Sequence, residues 1–197
     1  MIDLTHIKTS SMATQPYKWV FIDGLFRQDD MKALATSFPR DHFKTVKGYD
    51  GEKGYQYEAR ALIGMGAKGP SHVESLSPAW RQLANDLLSS DYRDAMTRLV
   101  GEDLASLQME VNVFHYGPGA WLGPHVDLKD KIVTHIFYFN ELWNEDDGGC
   151  LSILRSSEMS DEVSRIMPIV GNSAVLVRSE KSWHAVLPVV KGCCRSR

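Results

Sequence analysis

LQMEVNVFHY (107–116), KIVTHIFYFN (131–140), GGCLSIL (148–154), SAVLVRS (173–179) and HAVLPVV (184–190) decide the fold. Each stretch is short, rich in Val, Ile, Phe or Tyr, and bounded by Gly, Pro, Asn or Asp, which is the signature of β-strands separated by turns. No helical periodicity intervenes between them. A βαβ fold, which needs a helix between successive parallel strands, is therefore disfavoured. A mainly β chain with flanking α is expected: an antiparallel sandwich or barrel, with the preceding helices packed on one outer face.

Upstream, YKWVFIDGLF (17–26) reads as a strand entering a turn at Asp23-Gly24. Gln28 to Phe38 reads as a helix, with Asp29 and Asp30 near its start and Pro39 as its stop. Glycines at 48, 51, 54, 64, 66 and 69 surround YQYEARALI (55–63), predicting one strand flanked by flexible loops. Ser77-Pro78 opens a helix running to about residue 100, with a break near Ser89-Ser90. Trp80, Leu83 and Leu87, then Tyr92, Met96 and Leu99, recur at helical spacing and should face a core. Residues 1–16 look polar and are expected to be mobile.

The length of 197 residues suits one domain over 1–197. A formal net charge of −3 argues against nucleic acid as a partner. No run of 18 apolar residues suggests a membrane span, and the N-terminal stretch lacks the pattern of a secretory signal. Cys150, Cys193 and Cys194 do not form a disulfide framework and lack a CxxC zinc spacing. A cytoplasmic location is the expectation, as a monomer or homodimer.

PHVDLKD (124–130) sets His125 and Asp127 two apart. On a strand, such residues project from one face, so an imidazole and a carboxylate can reach one ion. A third ligand must come from elsewhere. His184 is the best candidate, because it begins an apolar segment that could lie beside the first strand. Two histidines and a carboxylate leave half an octahedron open, which suits an iron(II) that must bind an organic chelate and dioxygen. Of the other histidines, His115 beside a turn and His135 in mid-strand are read as structural.

VNVFHYGPGAWLGPHVD (111–127), THIFYFNELWNEDDGGCLSIL (134–154) and SWHAVLPVVKGCCR (182–195) together resemble the prolyl-4-hydroxylase-like branch of the 2-oxoglutarate/iron(II) dioxygenases. The resemblance covers nearly half the chain, in order. It implies a double-stranded β-helix (jelly-roll) core, with iron(II), 2-oxoglutarate and dioxygen as partners and ascorbate as an optional addition. It also implies roles. Arg195, eleven residues after His184, falls where the family carries the cation that grips the distal carboxylate of 2-oxoglutarate, and a guanidinium suits that task through paired charge-assisted bonds. Tyr138 matches the family tyrosine that supports the same carboxylate, and Tyr116 is a second candidate for it. The family often carries a hydroxyl residue two positions after the cation. Here Ser196 stands at one and Arg197 at two, so Arg195 and Arg197 compete for one role. The sequence ends where a further strand is expected, which reads as truncation.

The activity so implied is hydroxylation of an unactivated C–H bond. Related halogenases carry a small residue where this chain has Asp127, so the carboxylate favours hydroxylation. A small-molecule substrate, such as an amino acid or biosynthetic intermediate, is favoured. The alternatives are a prolyl residue in a peptide or protein, or a cupin-like metal binder without oxygenase activity. Tyr55, Tyr57 and Arg60, with the acidic stretch Asn144–Asp147, are expected to flank the barrel mouth.

Overall fold

A computed structural model describes residues 1–49 and 54–190. Its helices are α1 (Leu4–Thr9), α2 (Gln28–Thr36), α3 (Pro78–Leu88) and α4 (Ser90–Val100). Its strands are β1 (Trp19–Ile22), β2 (Lys44–Tyr49), β3 (Gly54–Ile63), β4 (Val111–His115), β5 (Trp121–His125), β6 (Val133–Phe137), β7 (Leu151–Leu154), β8 (Glu162–Ile166), β9 (Ser173–Val177) and β10 (His184–Val186). None of the described helices is long and apolar enough to cross a membrane.

The expected helix over 78–100 is two helices. Ser77 accepts a hydrogen bond from the Trp80 backbone N–H and caps α3 ahead of Pro78. Ser89, in extended conformation, ends α3 and caps α4 through Tyr92 N–H. A serine that caps the next helix also stops the previous one, because its side chain competes for backbone donors. Gly101 ends α4 at φ 72, a left-handed position that glycine occupies without strain.

The strands form two antiparallel sheets. One has the order β1-β9-β6; the other runs β2-β3-β5-β10-β7-β8, with β4 also paired to β3. β9 is buried on both faces. Val175 joins a cluster with Ile7, Leu34, Trp80, Leu83, Tyr92 and Met96 from the four helices. Its neighbours Ala174 and Leu176 join Leu151, Ile153 and Ile166 of the other sheet. The β1-β9-β6 sheet thus touches helices on one side and the second sheet on the other, as alternation along a strand requires. The antiparallel, mainly β architecture is the expected jelly roll.

Three expectations are corrected. The N-terminal segment forms α1, capped by Asp3, with Ile7 at 0% exposure, because Ile2, Leu4 and Ile7 have a core to enter. Lys44–Tyr49 is a strand, not a loop; it is exposed on both faces and so carries no apolar alternation to betray it. Arg60 is 1% exposed and does not line a mouth. It is held by Ser75, at 2.7 Å from Nη2, and by Asp41, whose carboxylate lies 3.4 Å from Nε. The chain end, with Cys193, Cys194, Arg195, Ser196 and Arg197, lies outside the described residues.

Candidate metal centre

β10 lies between β5 and β7, and His184 pairs directly with His125 across the β5–β10 ladder. The next pair is Val186 with Leu122, so β5 carries one extra residue between the two pairs. That bulge falls at Gly123-Pro124, where proline has no N–H to give the ladder. It leaves Leu122 and His125 on one face with His184 and Val186. The rings of His125 and His184 have centroids 4.2 Å apart. Ligand atoms of His125, Asp127 and His184 all lie within 4.8 Å of one another.

Both imidazoles are oriented alike. Nδ1 of His125 is 2.9 Å from the Gly123 carbonyl, and Nδ1 of His184 is 2.9 Å from the Ser182 carbonyl. A carbonyl oxygen only accepts, so each Nδ1 carries the proton, and the lone pair of the neutral ring belongs to Nε2. Such backbone contacts fix both tautomer and ring angle at metal sites. The two rings are 4% and 5% exposed.

Asp127 arrives by a different route from the one expected. β5 ends at His125, so strand alternation does not aim the carboxylate. Instead Thr134, on β6, donates from Oγ1 to Asp127 Oδ2 at 2.7 Å, and Lys131 donates from Nζ to Oδ1 at 3.1 Å. Arg178 Nε reaches the Asp127 backbone carbonyl at 3.4 Å. Burial alone would push this carboxyl's pKa up. The charges of His184 and Lys131, with the Thr134 and Lys131 hydrogen bonds, outweigh burial and hold it below the usual carboxylate value. The donor set is therefore two imidazoles, each offering its Nε2 lone pair when it is unprotonated, and one carboxylate, which fits a divalent ion with open positions.

Tyr138 follows β6 on the face shared by Thr134 and Ile136. Its hydroxyl is buried and has no hydrogen-bond partner among the described residues. Burial first, then Cys150 and Tyr116, push its pKa up, so it remains a neutral donor. Tyr116 is likewise pushed up, by burial and then by Tyr57. An orphaned, buried donor is what a carboxylate-bearing co-substrate would satisfy. Arg195 and Arg197 fall on residues outside the description, so the cation of that co-substrate site is not part of this geometry.

His115 and His135 stand away from the cluster, paired with Glu58 at 2.6 Å and with the Tyr92 hydroxyl at 2.9 Å. The acidic stretch closes on itself: Asn144 and Asp147 form a reciprocal capping box, with Asp147 buried. Three residues at the site were missed. Thr134 shares the i, i+2, i+4 face that carries Tyr138 and was legible on that basis. Lys131 and Tyr17 were not. Tyr17 comes from the N-terminal segment and donates its hydroxyl to the Trp183 carbonyl at 3.1 Å, next to His184.

Residues 111–197 match the family model described as 2OG-Fe(II) oxygenase superfamily. No curated protein sequence matches the chain. Solved structures do. A Pseudomonas putida prolyl-4-hydroxylase has a TM-score of 0.60 at 24% identity, covering 86% of this chain and 84% of that one. A Burkholderia pseudomallei oxidoreductase of the 2OG-Fe(II) oxygenase family has a TM-score of 0.62 at 15% identity, with 88% and 80% covered. A Trichoplax adhaerens prolyl hydroxylase, in complex with a hypoxia inducible factor oxygen degradation domain peptide fragment, has a TM-score of 0.61 at 17% identity, with 95% and 82% covered. These likenesses give the fold, and the matched segment contains all three residues of the cluster. Over residues 111–197 the chain is similar to the 2OG-Fe(II) oxygenase superfamily, and it shares the fold of the solved oxygenase-family and prolyl-hydroxylase structures.

Proposed function

We propose that His125, Asp127 and His184 hold iron(II), and that Tyr138, with Tyr116, Arg195 and Arg197, receives 2-oxoglutarate. The observation that carries this is the three-residue cluster within 4.8 Å, with both Nδ1 atoms tied to backbone carbonyls. When bound, iron with 2-oxoglutarate and dioxygen supplies the oxidising chemistry that turns C–H into C–OH and releases succinate and carbon dioxide. The chain's own residues place and shield that chemistry. The Gly123 and Ser182 carbonyls hold both imidazoles in the tautomer and orientation that leave Nε2 for the ion. Thr134 fixes the rotation of the Asp127 carboxylate. The neutral Tyr138 hydroxyl donates to a co-substrate oxygen, and the apolar Leu151, Ile153 and Leu176 behind it exclude water.

The substrate reading that the surface supports is a segment of peptide. From Tyr116 an aromatic strip runs outward: Tyr57 is 5.5 Å from it, and Phe114 and Tyr55 are 5.4 and 6.1 Å from Tyr57. Phe114 is 46% exposed, so the strip is open rather than enclosed. Open aromatic surfaces suit the rings and stems of an extended chain. A second reading, a free amino acid or biosynthetic intermediate, is supported by a recess of about 190 Å³ beside Tyr57 and the Gly117-Pro118 turn. Sites for drug-sized ligands run from about 300 Å³ upward, so this one suits something smaller. The test is succinate release under air with iron(II) and 2-oxoglutarate, across prolyl peptides and free amino acids. Stimulation by peptides supports the first reading; stimulation by amino acids alone supports the second. Unchanged turnover in His125→Ala would overturn the site assignment itself.

A further inference from the structure

We propose that Lys131 competes with the metal for Asp127 and so sets how tightly the centre is loaded; this rests on the reading of His125, Asp127 and His184 as the metal site. After Asp127 the chain turns back, closed by the Lys131 N–H donating to the Leu128 carbonyl at 3.1 Å. That turn lays the Lys131 side chain over the carboxylate, with Nζ 3.1 Å from Oδ1. Thr134 takes Oδ2. Each oxygen of the only carboxylate in the cluster therefore already has a donor, and one of the two donors is a full positive charge.

The two donors differ in kind. Thr134 sits on a strand, is neutral, and can keep its bond while the carboxylate binds an ion. Lys131 is a point charge on a flexible stem, with its side chain 45% exposed against 11% for Asp127. An ammonium and a divalent ion sharing one carboxylate repel each other, in a setting only partly screened by water. Lys131 can leave for solvent at small cost. Metal entry then exchanges one cation for another, and the affinity of the centre is lowered by the partner it displaces. In the metal-free protein the same contact neutralises a largely buried carboxylate.

The experiment uses the full chain stripped of metal and titrated with manganese(II), read by calorimetry, with thermal unfolding in chelator measured in parallel. Lys131→Met and Lys131→Gln should bind manganese(II) about tenfold more tightly than wild type, the scale of contacts that act on ligands. Lys131→Arg should stay near wild type. Both neutral variants should also melt earlier in chelator and gain more from the metal. A purely structural lysine would lower stability without tightening binding. Unchanged or weaker manganese(II) binding in both neutral variants overturns the inference. If wild type binds manganese(II) no better than Asp127→Asn, the site assignment fails, and the inference with it.

Discussion

His184 and His135 are imidazoles of one sandwich put to opposite uses. His184 opens β10, donates from Nδ1 to a carbonyl, and faces a carboxylate and a second imidazole within 4.8 Å. His135 lies on the helix-facing side of β6, bonded to the Tyr92 hydroxyl and stacked on Phe137 at 4.0 Å between centroids. Its Nε2 is buried without a hydrogen-bond partner among the described residues. Burial pushes its pKa down to about 3. Enclosure alone makes a histidine inert. Enclosure with a fixed tautomer and a charged neighbour suits a histidine to the ligand role proposed for His184.

The contrast predicts a graded set of effects. The largest is at the cluster: His184→Ala or Asp127→Ala should bring succinate release to background, while His135→Phe leaves turnover within about twofold, since core swaps of similar volume are tolerated. Comparable loss from both would break the distinction. Next, Thr134→Val removes the hydroxyl that holds Asp127 and keeps the shape, so metal affinity should fall about 10–100-fold by titration.

Third, the two histidines should separate by pH. A folded pKa near 3 lies below the unfolded value of about 6.5. The unfolded chain therefore binds the extra proton, so stability is full above pH 6.5 and is lost as pH falls toward 3. The loss should be on the order of 1–2 kcal/mol at pH 5, and His135→Phe should flatten that part of the denaturation curve. An unchanged slope would contradict the enclosure of His135. The smallest effect is at Tyr138. Tyr138→Phe deletes an unpaired hydroxyl, so stability should hold or rise by about 1 kcal/mol, while KM for 2-oxoglutarate rises. A loss of stability with unchanged KM would make Tyr138 an ordinary core tyrosine.

β4, β6, β7, β9 and β10, the Ser77 cap and the break near Ser89 were legible because alternation and capping are local rules, whereas β8 was not legible as a strand. His184 could be nominated from its place at the head of an apolar stretch, but its register opposite His125 could not. That pairing spans 59 residues and depends on β10 entering the sheet between β5 and β7. β2 was hidden because KTVKGY, though paired with β3, is largely exposed and shows no apolar alternation. Asp127 was nominated for a reason the structure replaces: a bulge and a turn, with Thr134 and Lys131 as supports, aim it instead of strand periodicity. Arg60 misled because a charged residue shortly after two tyrosines looks exposed; burial with Asp41 and Ser75 is a tertiary fact.

The most direct test of the centre is the anaerobic visible spectrum of the iron(II)-loaded protein before and after 2-oxoglutarate is added. A new absorption band in wild type, lost in both Asp127→Ala and His184→Ala but kept in His135→Phe, is the predicted result. No band in wild type, or a band that survives loss of Asp127 and His184, would contradict the assignment of iron and co-substrate to this cluster.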